Sequence, residues 1–243
     1  MRTVRARYAD NEGVSIHYIE SEGPEGLPPV LFVPGLTDAA EDYCDTILEL
    51  GRRVLVIDLR GRGASDAPET GYAMADHVAD IASVVQQSVT GTFHLMTFSR
   101  GTCYGLGYAV DHPERIVSIS LGDYPAREVI IPSEKTNAFM AGKWRGRPVA
   151  ERLSELAFSK IIAETEGHDF LEQIASLNLP SLVVRSGRDS PITDEDWAAY
   201  LHHLPDATFV RFEDSPHDIF RPDRLRFFHL VRCNVAAAEA SAA

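Results

Sequence analysis

Two short runs, Val30-Leu-Phe-Val33 and Val54-Leu-Val-Ile57, are apolar without interruption. That is the pattern of strands buried on both faces of a parallel sheet. Phe93 to Phe98 and Ile116 to Leu121 read the same way, and helical spacing falls between the runs at Ala39 to Leu50, Met74 to Val89 and Gly101 to Ala109. Upstream, Thr3 to Tyr8 and Gly13 to Ile19 alternate apolar and polar residues around Asp10-Asn-Glu-Gly13, which predicts a hairpin. Alternation of strand and helix from Val30 to Leu121 predicts an α/β fold: a mostly parallel twisted sheet with helices on both faces and an antiparallel hairpin at its edge.

After Asp123-Tyr-Pro125 the rhythm breaks. Residues 126–178 carry helical patterns and no convincing strand, so they are expected to form a small helical cap inserted into a core made of 1–125 and 179–243. The series resumes with strand Leu182 to Val184, helix Asp194 to His203, strand Thr208 to Phe212 and helix Arg221 to Val231. The tail Ala236 to Ala243 reads as frayed.

Thr92 to Ala109 places Ser99 at the join of a strand and a helix, with Gly101 two residues on. A serine in such a turn has its Oγ lifted clear of the backbone, and the helix aims its first N–H groups at whatever is bonded there. Thr97 stands where the G-x-S-x-G pattern has its first Gly, which predicts strain where strand and helix meet. A serine nucleophile needs a base, a carboxylate to orient that base, and N–H donors for the oxyanion. In an open parallel sheet these come from loops beyond the carboxyl ends of the strands. Of nine histidines, only His217 directly follows a predicted strand in a loop. His77, His112, His202, His203 and His229 read as mostly solvated helix positions. Asp189, after Leu182 to Val184, is the expected acid; Asp123, ending the strand beside the elbow, is the alternative. The expected oxyanion donors are the backbone N–H groups of Leu36, released by the turn at Gly35, and of Arg100. Tyr124 and Trp144 are candidate pocket residues, while Arg145 and Arg147 form a cluster that could attract an anionic group but more often is a solvated face. Cys103 reads as small buried filler.

Four stretches carry a family resemblance: Pro34-Gly-Leu36, Asp58-Leu-Arg-Gly-Arg-Gly-Ala-Ser65, the elbow running into Asp111-His-Pro-Glu-Arg-Ile-Val117, and the loops Gly187-Arg-Asp189 and Ser215-Pro-His217. On these the chain resembles the α/β-hydrolase superfamily from about Val14 to Val231. The order Ser, Asp, His along the chain is the one that superfamily uses. Asp58 to Ser65, despite its match, reads as a pinned structural turn.

Charge and cysteines narrow the classes. With 23 Lys and Arg against 36 Asp and Glu, the net charge of −13 disfavours nucleic acid and anionic membranes as partners. Three cysteines without metal-type spacing, and an N-terminus lacking an apolar signal core, make the cytoplasm the expected compartment. The leading expectation is a serine hydrolase, carboxylesterase- or lactonase-like, acting on an ester, thioester or lactone of a small, largely apolar molecule. No metal or organic cofactor is implied, and the oligomeric state stays open. The resemblance also admits a C–C hydrolase, a lyase or synthase, or a cofactor-free perhydrolase on the same triad. A third class is a receptor-like binder that keeps the triad and hardly turns over.

Overall fold

A computed structural model of the chain describes residues 3–132, 134 and 136–242. Eight strands form one sheet in the order β1-β2-β4-β3-β5-β6-β9-β10. β1 (Val4–Asn11) and β2 (Val14–Ser21) make the predicted hairpin, and β2 pairs antiparallel with β4 (Val54–Ile57). From β4 onward every pairing is parallel, through β3 (Val30–Val33), β5 (Phe93–Phe98), β6 (Ile116–Gly122), β9 (Ser181–Ser186) and β10 (Thr208–Phe212).

Alternation within the strands sorts the core into two layers. Leu31, Val33, Leu55, Ile57, Leu95, Ile119 and Val183 face one side, against α1 (Met74–Ser88), α2 (Gly101–Asp111) and α6 (Asp194–His203). Val30, Phe32, Val54, Val56, Met96, Phe98 and Val184 face the other, against α7 (Arg226–Ala242) and two 3-10 turns. Every residue of β3 is fully buried, and each apolar side chain so placed is worth about 1.5–3 kcal/mol of transfer free energy.

Three expectations change. Ala39 to Leu50 is not one helix: it breaks into 3-10 turns at Ala40–Tyr43 and Ile47–Leu50. The tail is not frayed within the described residues, since α7 runs to Ala242 with Val235 and Ala238 buried and Glu239 gripping Arg52 (2.8 Å); Ala243 lies outside them. Residues 126–178 contain α3 (Thr136–Met140), α4 (Glu155–Ala163) and α5 (Leu171–Ser176), but also a two-stranded hairpin, β7 (Lys143–Trp144) and β8 (Arg147–Pro148). Its turn is Arg145-Gly146, both at positive φ (48° and 83°), as the type I′ turn favoured in two-residue hairpins requires. α5 packs against α2 and α6, with Ile174 in their core layer, whereas Phe158 and Ile161 of α4 join Leu36 and Tyr72 in a separate apolar cluster.

Candidate active site

β5 ends at Phe98 and α2 begins at Gly101, so Ser99 must reverse the chain within two residues; its φ is 51°. A side chain at Gly101 would run into the carbonyls of Val33 and Pro34, so only glycine lets α2 start this close to β3. At Gly105 an added Cβ would lie 2.7 Å from Thr97 Cγ2. The bulk that Thr97 brings to the strand is therefore accommodated by a glycine one helical turn into α2. Thr97 Oγ1 also bonds Thr102 Oγ1 (2.9 Å), so the residue that breaks the motif ties the strand to the helix.

Ser99 donates its backbone N–H to Gly122 O at the end of β6 (2.8 Å), which brings the next residue, Asp123, alongside the elbow. Asp123 is fully buried, and its φ of 49° turns the side chain toward the loop after β10. Asp123 Oδ2 accepts from His217 Nδ1 (2.7 Å), and His217 Nε2 faces Ser99 Oγ (2.8 Å). A carboxylate only accepts, so Nδ1 carries the ring proton and the Nε2 lone pair meets the serine hydroxyl. The imidazole lies nearly parallel to the Phe98 ring, centroids 5.3 Å apart.

The structure thus joins Ser99 and His217, and the carboxylate it sets beside the imidazole is that of Asp123, the alternative, and not that of Asp189. Asp189 is exposed, three residues beyond β9, and none of the hydrogen bonds or ion pairs among the described residues uses its carboxylate. Its neighbours reach the site instead. Asp123 accepts from Ser186 N–H (2.8 Å) and Ser190 Oγ (2.6 Å) through Oδ1, and from Ser186 Oγ (2.8 Å) through Oδ2. The β9 loop therefore reaches the imidazole's partner, but it does so with Ser186 and Ser190, while the Asp189 carboxylate faces solvent.

A model of the α/β hydrolase fold matches residues 28–128. The 2-(acetamidomethylene)succinate hydrolase of Mesorhizobium japonicum is 30% identical over 226 residues, covering 78% of this chain and 81% of that protein. The chain belongs to the α/β-hydrolase superfamily. Solved structures share the fold at lower identity. An esterase from Exiguobacterium antarcticum has a TM-score of 0.79 at 19% identity, covering 96% of this chain and 100% of that one. The enol-lactonase from Burkholderia xenovorans LB400 also has 0.79 at 19%, covering 95% and 100%. A further relative, from Variovorax paradoxus, is 36% identical over 110 residues, a stretch spanning only 41% of its length.

In this α/β-hydrolase a cavity of about 140 Å³ opens at Ser99, bounded by Leu36, Tyr124, Ile131, Phe139, Trp144 and His217. Both aromatic residues expected at a pocket, Tyr124 and Trp144, line it. Gly35 brings the backbone against the serine: a Cβ there would sit 2.9 Å from Ser99 Cβ. No hydrogen bond among the described residues takes the N–H of Leu36 or Arg100, and both residues border the cavity.

Several neighbours went unread in the sequence. Arg100 is buried, its guanidinium spent on Glu128 (3.0 Å), Thr165 Oγ1 (2.6 Å), Val129 O (2.9 Å) and Tyr104 Oη (2.9 Å). The residue after Ser99 is therefore fastened to the 126–178 stretch. Arg145 is not on a solvated face either: it lies between Asp218 (2.9 Å) and Asp38 (3.3 Å), over the rings of Tyr43 and Phe220. Burial opposes its charge, but Tyr43, Asp38 and Asp218 outweigh burial and raise its pKa. Arg147 is exposed and pairs with Glu41 (2.6 Å). His77 is not solvated: it is fully buried, stacked on Tyr104 at 4.0 Å. Burial pushes the Cys103 thiol up to about 12, so it holds its proton at neutral pH. Asp58 accepts from Ala40 N (2.6 Å) and His17 Nδ1 (2.7 Å), which pins the glycine-rich turn to β2. Among the described residues no cluster of His, Cys, Asp and Glu is placed to hold a metal, and no helix is long and apolar enough to cross a membrane.

Proposed function

We propose that the chain is a serine hydrolase that cleaves an ester, thioester or lactone of a small, largely apolar molecule through an acyl-enzyme. The observation that carries this reading is the unbroken relay from Ser99 Oγ to His217 Nε2 (2.8 Å) and from His217 Nδ1 to Asp123 Oδ2 (2.7 Å). Ser99 Oγ attacks the carbonyl carbon and passes its proton to His217 Nε2. The imidazolium is stabilised by Asp123, and the oxyanion by the N–H groups of Leu36 and Arg100. His217 then protonates the leaving oxygen or sulfur. Water, deprotonated by the same imidazole, releases the acid and restores the serine.

The walls support the substrate class. Leu36, Ile131, Phe139 and Trp144 leave a small apolar space, with the guanidinium of Arg100 committed elsewhere, which suits a short uncharged acyl group. Three of the pocket residues, Ile131, Phe139 and Trp144, come from the 126–178 stretch, which we read as the cap. Two structural neighbours, an esterase and an enol-lactonase, fall in the same class.

The test is turnover of p-nitrophenyl acetate, butyrate and decanoate and of small lactones by wild type and Ser99→Ala. Short acyl groups should be preferred, and Ser99→Ala should lose several powers of ten in kcat, toward the ~10⁶-fold seen when such a nucleophile is removed. An unchanged rate in Ser99→Ala would end the proposal. Turnover of β-diketones without ester cleavage would move the reaction to C–C hydrolysis on the same triad.

A further inference from the structure

The oxyanion loop and the histidine loop belong to opposite ends of the chain, yet a catalytic site needs them in fixed register. Nothing in the sheet supplies that directly, because β3, which feeds the first loop, is separated from β10, which feeds the second, by three intervening strands. The tip of the β7–β8 hairpin touches both. There Arg145 places Nη1 3.3 Å from Asp38 Oδ1 and Nη2 2.9 Å from Asp218 Oδ1. Its Nε also donates to Asp218 Oδ2 (3.1 Å), a forked grip on the residue next to His217.

Asp38 carries the grip into the oxyanion loop. Its Oδ2 accepts from Gly35 N–H (2.9 Å), the residue before Leu36, and its Oδ1 accepts from Trp144 Nε1 (2.7 Å). Asp38 is buried, and so is the Arg145 guanidinium for the most part, so these bonds are shielded from water and salt. The side chain is held in place by the faces of Tyr43, Trp144 and Phe220, 5.0–5.5 Å from the guanidinium carbon.

We propose that Arg145 is a positioning residue that locks the oxyanion loop to the histidine loop, through Asp38 on one side and Asp218 on the other. The inference rests on the serine-hydrolase reading given above. Arg145 touches neither substrate nor reacting atoms; it sets where the Leu36 N–H stands relative to Ser99 and His217. Such misplacement acts on the transition state more than on substrate binding, so kcat carries the effect and KM does not. The outer side of Arg145 borders a second cavity of about 320 Å³, which gives small solutes a way to the guanidinium position.

The experiment measures kcat, KM and the rate of fluorophosphonate labelling for wild type, Arg145→Lys, Arg145→Ala and Asp218→Asn. Thermal melting confirms that each is folded. Arg145→Ala should lose about a hundredfold in kcat with KM within a few-fold, and labelling should slow in parallel. Arg145→Lys keeps the charge but not the fork, so it should remain well below wild type. Asp218→Asn, the milder change, should show a smaller loss of the same kind, which reports on the strap even if Arg145→Ala does not fold. Millimolar guanidinium chloride should restore part of the activity of Arg145→Ala, and the same concentration of sodium chloride should not. Folded Arg145 variants and Asp218→Asn with kcat within twofold of wild type would overturn the proposal, as would a loss confined to KM. If the wild type neither turns over esters nor labels, the reading of the site fails and this inference falls with it.

Discussion

The loops after β6 and β9 each present an aspartate at positive φ just past a strand end, and only one of them belongs to the site. Asp123 has φ 49° and is fully buried; Asp189 has φ 55° and is exposed. Asp123 receives hydrogen bonds from His217, from both the N–H and the hydroxyl of Ser186, and from Ser190. The difference teaches that position after a strand is not what makes an orienting acid. Burial against the imidazole is: β6, next to the strand that carries Ser99, ends in a carboxylate enclosed beside His217, while the β9 loop reaches the same place with serines and leaves its own carboxylate in solvent. A buried carboxylate must also be given donors, and the β9 loop supplies them rather than the acid.

The largest effect that tests this contrast is a pair of isosteric changes. Asp123→Asn keeps the shape but removes the acceptor that fixes His217 Nδ1–H, so the ring loses its working tautomer; kcat should fall about 10⁴-fold. Asp189→Asn should leave kcat within twofold of wild type. Steady-state ester kinetics on the two variants decides the matter, and the reverse ranking would return the role to Asp189.

A smaller effect should come from the donors. Ser190→Ala removes a charge-assisted hydrogen bond from a carboxylate with no route to water, which costs about 1.5–3 kcal/mol in such settings. Only part of that reaches the transition state, so a loss of about tenfold in kcat is expected. Ser186→Ala leaves the backbone donor of Ser186 in place and should cost less. If both variants match wild type, the β9 loop does not serve Asp123 and the contrast between the loops reduces to burial alone.

How much of this was legible follows from the range of the interactions. The sheet could be read because strand burial is written locally: β3 and β4 begin and end where their apolar runs do, and β5 fills its predicted limits. Ser99 and His217 could be read because a sharp turn and a loop after a strand are local too. Asp123 could not be chosen over Asp189, because the choice depends on which carboxylate the fold encloses beside His217, and both follow apolar runs. One signal was available: Asp123 ends the strand that follows the elbow helix. The straps were out of reach for the same reason. Asp38 and Arg145 are more than a hundred residues apart, and Arg145 in Lys143-Trp-Arg-Gly-Arg147 looks like any basic cluster until the fold closes over it. His77 was misread because α1 is covered on the face that its polar residue occupies, where Tyr104 stacks on the ring.

Both loops sit on a shared scaffold, the elbow, and the smallest effect expected is there. Gly105→Ala would place a methyl 2.7 Å from Thr97 Cγ2, while its other neighbours, the Leu95 methyls, stay at an ordinary 3.5 Å. In the wild-type background overpacking costs about 1–3 kcal/mol, only partly offset by the helix preference for alanine of about 0.8–1 kcal/mol, so the melting temperature should fall. Thr97→Ser removes Cγ2 but keeps the hydroxyl that bonds Thr102. On that background the clash is gone, and only the intrinsic preference of a helix for alanine over glycine remains, about 0.8–1 kcal/mol in favour of alanine. The same substitution should therefore destabilise one protein and stabilise the other. Equal effects of Gly105→Ala in the two backgrounds would mean that Thr97 and Gly105 do not compensate each other, and that the elbow tolerates its missing glycine for some other reason.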